Sequence, residues 1–514
     1  YEYQGDDYYY ENFVTLRNYR EGQHAANLGL DLDFEGNTVV GLLLGGTLSE
    51  QVWGEDADSR SFGYVNNELT EEGSYMFGTE TDMSSLTANA NVLQKTGANS
   101  HLNFNADYAK IHYKNAGDLL NNNDPEHAIA YERSTPMEFW ILSLDNMNQL
   151  SDTWTMEAGV KGTFNNTRSS TSVQSLNDEY WSDSDLFANE ISIREQILAG
   201  YLSFNGKLSE KLDAEVGVRY EHYTYQLERT EQEDFDRTFR QPFPVFRLNY
   251  KVDSANTIQL GFNRSITRPS FFHLTSFIAL FDPSLIVYAN PQLQPTFTNN
   301  LKLSWQRKSA ILSLAYLSRT NQIYFYNTVD KENHLQTSNP TNLDEESIIE
   351  ANLSIPVSPT PWWEMNWNLT AYYHRVKDES GRLSVFEADI FTYAVQFNST
   401  FLLRNDWSIG ADGRYMSDFL EGDQRKFNYP YLNLGIQKKF SSGSSLSFTV
   451  QDITNEVGKR NWEYHQPELG IRTFGNNDFS ERQVRVTFTH LFGNQKLSGK
   501  RQRKTGSDDV KNRM

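Results

Sequence analysis

"LDAEVGVRYEHY" (residues 212–223) places Leu212, Ala214, Val216, Val218 and Tyr220 on one side of an extended chain and Asp213, Glu215, Arg219 and Glu221 on the other. Successive side chains of a strand point to opposite faces, so this stretch carries one unbroken apolar face and one charged face. A soluble antiparallel sheet with one face on a core alternates in the same way. The choice between a protein core and lipid therefore rests on how often the pattern recurs and on what could cover the apolar faces.

The pattern recurs along the whole chain. In "WTMEAGVKGTF" (154–164), Trp154, Met156, Ala158, Val160 and Phe164 oppose Thr155, Glu157, Lys161 and Thr163. In "EMNWNLTAYY" (364–373), Met365, Trp367, Leu369, Ala371 and Tyr373 oppose Asn366, Asn368, Thr370 and Tyr372. Further copies are "TIQLGFN" (257–263), "LNLGIQKKF" (432–440), "SLSFTV" (445–450) and "VRVTFTHLF" (484–492).

Connections come in two lengths. Short ones, such as "FEGNT" (34–38), "KTGAN" (95–99), "LSEKL" (208–212), "VDSAN" (252–256) and "SSGS" (441–444), hold the Gly, Asn, Asp and Ser that tight hairpins need. Long ones at 50–83, 168–187, 268–295 and 454–480 alternate with them. That alternation marks an up-and-down meander whose two ends face different environments, as in outer-membrane barrels with short periplasmic turns and long extracellular loops. A soluble sandwich has no reason to keep it for nine hairpins. Sandwich strands also run about 5–6 residues, whereas these run about 10–15, the length a tilted strand needs to cross a bilayer. Val216 and its row are expected to face lipid, and Glu215 and its row a wet lumen.

The expected fold is all-β: a large antiparallel up-and-down transmembrane β-barrel of about 19–22 strands. It should occupy residues 1–492, with a basic periplasmic tail at 493–514. About 19 strands are recognisable from "AANLGLDLDF" (25–34) to the last. The opening "YEYQGDDYYYENFVTLRNYREGQ" reads as a Tyr-rich surface loop. Single-chain bacterial barrels usually have an even strand number, so a missed strand or missing N-terminal sequence is expected, the latter preferred.

Composition narrows the class. The chain has 514 residues and no run of about 18 apolar ones, so no transmembrane helix is encoded. No basic segment with an apolar core and cleavage site follows Tyr1. The absence of cysteine removes disulfide frameworks, thiolate metal sites and Cys nucleophiles together. A net charge of -21 disfavours nucleic acid as a partner, because a phosphate-binding face needs clustered positive charge.

At 262–305 the chain has a strand ending in Arg268-Pro269, a loop with Asp282-Pro283, then Asn290-Pro291-Gln292-Leu293-Gln294-Pro295 leading into the next strand. With its final "TFTHLFG" and basic tail, it resembles the large barrels of TonB-dependent outer-membrane receptors, in particular the outer membrane protein beta-barrel family. The resemblance covers essentially the whole chain at the level of architecture. It implies a 22-stranded barrel in the outer membrane, closed by an N-terminal plug that couples to the TonB complex, and uptake of a bulky solute. The plug would precede Tyr1, and three further strands would complete the count. A second reading is a transport-inactive barrel that serves as a structural subunit of an assembly or secretion complex, with a surface lipoprotein or other subunits as partners. A passive channel is a third.

No enzyme is expected. Glu221 and His222 are consecutive strand residues and cannot share a site, and neither an HExxH nor a nucleophile-elbow sequence occurs. His490 alternates with Val486 and Phe488 on the lipid side, as an interfacial ring with a wet tip. Acidic loops "NNND" (121–124) and "SDSD" (182–185) could hold calcium, but they lack EF-hand spacing and read preferentially as solvated surface, so neither a metal nor a cofactor is assigned. Two aromatic groups could stack a sugar or hold a partner, or else form part of the interfacial girdle. They are Tyr8, Tyr9 and Tyr10, and the rings of "RNWEY" (460–464), with a tryptophan expected at position 461 and Tyr464 beyond it. The tail carries Lys496, Lys500, Arg501, Arg503, Lys504, Lys511 and Arg513 against Asp508 and Asp509. It could touch anionic headgroups or a periplasmic partner, each charge contributing about 1 kcal/mol near an anionic surface, but a solubilising disordered tail is the preferred reading.

Overall fold

The computed structural model describes residues 2–513 apart from 5–7, 16–17, 123–127, 178–179, 184–188, 230–233, 276–278, 283–284, 331–334, 379–385, 423, 428–429, 442, 467–470, 479–481 and 491–512. Among the described residues, nineteen strands form one antiparallel ladder in chain order. The first seven are Tyr19–Phe34, Thr38–Val65, Glu68–Gly97, Ser100–Asn121, Ala128–Gln149, Trp154–Asn177 and Asn189–Ser209. Leu212–Arg229, Phe235–Lys251, Asn256–Thr267, Thr296–Arg307, Ala310–Asp330 and Leu335–Thr360 follow. Trp363–Asp378, Phe386–Leu402, Trp407–Met416, Tyr431–Lys439, Ser445–Gln451 and Gln483–Thr489 complete the series. Nine tight turns join them in pairs at one end, where the turn chemistry of the sequence places them.

Register assigns the faces. Val216 lies opposite Phe204 and Phe246, and Glu215 lies opposite Asn205 and Arg247. Val216 is 51% exposed, and Glu215 pairs with Arg247 on the inner side. Exposed apolar residues recur at every second position elsewhere, as in Leu28, Leu30 and Leu32, Leu301 and Leu303, and Val484, Val486 and Phe488. Such a belt is covered by lipid in an outer-membrane barrel. Trp362, Trp363 and Phe401 stack at one turn, where an aromatic girdle sits at the headgroup level. No helix among the described residues is long and apolar enough to cross a membrane.

The loop end departs from the sequence expectation. The region expected as a loop at 50–83 is strand: Thr38–Val65 and Glu68–Gly97 continue to a two-residue turn at Asn66 and Asn67, with φ of 51° and 68°. Asn tolerates this left-handed turn conformation. Likewise Trp154–Asn177 extends through the first half of the expected 168–187 loop. Beyond the bilayer neither face meets lipid, so period-two alternation fades although the ladder continues. The Tyr-rich N-terminal stretch also pairs rather than looping: Tyr9–Thr15 lies along Ser59–Val65, and Glu2 and Tyr3 pair with Arg472 and Ile471. Among the described residues, Tyr19–Phe34 and Gln483–Thr489 each have one long-strand neighbour.

Candidate functional site in the lumen

The strand Asn256–Thr267 ends at Arg268-Pro269, and Pro269 has no N–H to continue the ladder. Ser270 then caps a single helical turn, Phe271–Leu274, by accepting from the His273 N–H at 3.2 Å. This turn sends the chain into the lumen. Phe271 packs on Ala109, Ile111, Met137, Phe139 and Ile141 of the wall. Leu274 and Leu293 pack on Ile191, Ile193, Tyr223, Tyr225 and Leu227. Burying each such side chain contributes roughly 1.5–3 kcal/mol. The inner face of Leu212–Arg229 thus changes character along its length, from Asp213, Glu215 and Glu221 to Tyr223, Tyr225 and Leu227.

The return limb shows what Asn290-Pro291-Gln292-Leu293-Gln294-Pro295 does locally. The Asn290 N–H donates to the His273 carbonyl at 2.8 Å, tying the limb to the helical turn. The Asn290 carboxamide accepts from the Gln292 N–H and donates to the Pro340 carbonyl. The Tyr225 hydroxyl donates to the Pro291 carbonyl at 3.2 Å, and Arg237 to the Gln292 carbonyl at 2.7 Å. Asn342 accepts from the Gln294 N–H at 2.8 Å and donates to the carbonyls of Gln294 and Asn321. Wall side chains therefore satisfy backbone groups that a buried loop would otherwise leave orphaned. Burial holds the His273 imidazole below its ordinary pKa, and its ring lies edge-on to Phe325 at 5.3 Å.

Against this segment lies a small cavity lined by the charged and polar Lys161, Asn165, Glu195, Arg219, Glu221 and Arg268 and by the apolar Phe139 and Ile197. Glu221 accepts from Arg219 Nε at 2.7 Å and is also paired with Arg268, whose guanidinium lies over the Tyr223 ring at 5.0 Å. Glu195 accepts from Asn165 at 3.0 Å and from the Tyr223 hydroxyl at 2.5 Å. Sequence reasoning misses Glu195 and its partners, because Glu195 reads as one more inward polar residue. The inward segment carries a clearer signal: Phe271, Phe272, Leu274 and Leu293 are too apolar for a solvated loop.

The aromatic candidates of "RNWEY" need a correction. Position 461 holds Asn461, not a tryptophan, and the ring belongs to its neighbour Trp462. The shift matters because consecutive residues of the strand Lys459–Gln466 point to opposite faces. Asn461 lies opposite Asn476, and its carbonyl accepts from the Phe427 N–H at 3.0 Å, so position 461 contributes a backbone tie and no aromatic surface. Trp462 lies opposite Gly475, which leaves room for the indole, and carries Lys426 over its ring at 5.7 Å. Tyr464 is buried, and its hydroxyl donates to the Asn327 carbonyl at 2.7 Å.

Of the other candidates, the backbones of Tyr8, Tyr9 and Tyr10 pair with Gln4, Tyr3 and Glu2, while their side chains lie outside the described residues, as do Pro283 and the side chain of Asp282. His222 lies on the opposite face from Glu221, and His490 Nδ1 lies 2.7 Å from Ser444 Oγ. Of the tail's basic residues, the one described is Arg513, which enters the cavity and meets Glu195.

Solved structures share this fold at low identity. The siderophore receptor PiuA from Acinetobacter baumannii aligns over 95% of this chain and 82% of its own, with a TM-score of 0.55 and 10% identity. The ferric-catecholate import receptor Fiu from K12 E. coli aligns over 95% and 82%, with a TM-score of 0.53 and 9% identity. The copper transporter OprC aligns over 92% and 79%, with a TM-score of 0.51 and 14% identity. These are receptors and transporters, not enzymes. No curated protein matches by sequence. The model of the outer membrane protein beta-barrel family matches residues 93–490. With most of its length matched and a lipid-facing belt on its ladder, the chain belongs to the outer membrane protein beta-barrel family and spans the outer membrane with its strands.

Proposed function

We propose that this protein is an outer-membrane receptor-type barrel for uptake of a bulky solute. The observation that carries the reading is the lumen itself: a small cavity with charged groups in its lining, set against an inward-folded segment whose backbone the wall holds. In this reading the Arg268–Pro295 segment is the constriction of the path, and the motif Arg268-Pro269, Asp282-Pro283 and Asn290-Pro291-x-Leu293-x-Pro295 sets its entry and return. Coupling to a TonB-type complex through a plug, as the family resemblance implies, would supply the work of opening. The strand extensions beyond the bilayer, including Tyr8, Tyr9, Tyr10 and Trp462, would make the first contact with solute. A structural subunit of an outer-membrane assembly is the second reading. It is favoured by the stopper that Phe271, Leu274 and Leu293 make from the chain itself.

The test compares solute depletion from the medium by native cells, cells lacking the protein, and native cells with the proton gradient collapsed. Uptake predicts a solute depleted only when both the protein and the gradient are present. An unchanged medium together with loss of an outer-membrane complex on deletion would replace transport with the scaffold.

A further inference from the structure

We propose that the lumen carries a binding site for an arginyl residue of a peptide, built between the strand Asn189–Ser209 and the inward segment and filled here by the chain's own Arg513. Arg513 Nη1 and Nη2 donate to Glu195 Oε2 and Oε1 at 2.8 and 2.9 Å, a bidentate fork. Its Nε donates to the Pro269 carbonyl at 3.0 Å, and the guanidinium lies over the Phe271 ring at 4.1 Å. The site also reads the main chain, since the Phe271 N–H donates to the Arg513 carbonyl at 3.1 Å.

This set of contacts selects an arginine over a generic cation. A planar fork matches the carboxylate with two parallel N–H bonds, while a third in-plane donor and the π-face engage Pro269 and Phe271. A lysine ammonium offers a point charge and cannot make all four. Arg513 and Glu195 are 12% and 2% exposed at their side chains, so the pair is withdrawn from solvent screening. The carboxylate is held ready by Asn165 and Tyr223, one on each oxygen. Neighbouring Arg219 and Arg268 are engaged by Glu221.

Reach is sufficient. Glu195 lies fourteen residues above the turn end of its strand at Ser209, roughly 45 Å of strand. The chain from His490 to Arg513 can extend to at most roughly 80 Å. The bound residue bridges the wall strand to Pro269 and Phe271 of the inward segment, so occupancy should hold that segment docked. An arginine-bearing peptide of another source would have to displace Arg513 to use the site.

The chain has no cysteine, so Met514→Cys gives a single thiol next to Arg513 whose maleimide labelling reports release of Arg513 from the site. In the folded barrel, Arg513→Ala in the Met514→Cys background should label at least about tenfold faster than Met514→Cys alone. Argininamide should accelerate labelling of Met514→Cys toward that rate, and lysinamide at equal ionic strength should not. Equal labelling with and without Arg513 would overturn occupancy by the tail. Equal effects of argininamide and lysinamide would overturn arginine recognition. Glu195→Gln should reproduce the fast rate, with heat-modifiable gel mobility confirming that each variant is folded, and the Arg513 comparison stands if Glu195→Gln does not fold.

Discussion

The strand Leu212–Arg229 holds two environments on the same protein wall. Its outer face, with Val216, Val218 and Tyr220, is apolar because lipid covers it, and any residue of that character in the right parity serves. The inner face beyond Glu221, with Tyr223, Tyr225 and Leu227, is apolar for a different reason: Leu274 and Leu293 are packed there from a segment some fifty or more residues away in the chain. One face is matched to a solvent, the other to particular side chains. The first tolerates exchange among apolar residues and rejects charge; the second should be sensitive to size and to single hydrogen bonds.

That contrast can be broken most directly at Phe271. Phe271→Ala removes a fully buried ring from the cluster it shares with the wall and should cost about 3–5 kcal/mol of segment docking. Hydrogen exchange should then lose protection at Phe271–Thr275 while the barrel strands keep theirs. Loss of protection throughout the barrel would show that the segment is part of the global fold rather than a docked unit.

Next in size is Val216→Arg, expected to cost about 2–4 kcal/mol at mid-membrane, whereas Glu215→Gln, which removes a partly exposed pair with Arg247, should cost about 1 kcal/mol or less. A urea titration in lipid vesicles measures both, and equal losses would reject the assignment of faces.

Smaller again, Asn342→Ala deprives the Gln294 N–H and the carbonyls of Gln294 and Asn321 of a buried partner. The cost should be about 1–3 kcal/mol, read as faster exchange at Gln294 with the lipid-facing strands unchanged. No response there would mean that packing alone sets the segment.

The smallest expected effect is with pH. Burial depresses the His273 pKa, so the folded state binds its proton less readily than the unfolded chain. Docking stability is therefore full above the ordinary imidazole value of about 6.5 and is lost as pH falls from there through the depressed folded value. Protection of Phe271–Thr275, corrected for intrinsic exchange, should fall as the pH drops below about 6.5, and His273→Gln should flatten that dependence. The lipid-facing band has no such dependence to lose.

Much of the barrel is legible in the sequence because its rules are local. Alternation at period two names the lipid face of each strand, and Gly, Asn, Asp and Ser mark the nine turns, so the nineteen strands and their order can be counted from residues a few positions apart. The same locality makes parity unforgiving: a tryptophan placed at 461 instead of 462 is assigned to the wrong face of its strand. The strand extensions at 50–83 are illegible because their two faces meet no lipid and carry no alternation. The motif at 290–295 is visible as a motif, but that its carbonyls meet Tyr225 and Arg237 depends on where barrel curvature brings the opposing strands.

The pairing of Glu195 with Arg513 crosses 318 positions and leaves no periodic trace in either segment. The sequence by itself determined which solvent each strand face meets, since that is written residue by residue in hydrophobicity. Only the tertiary structure decided what fills the lumen, because a curved wall of strands brings together side chains whose separation along the chain carries no information about their distance in space.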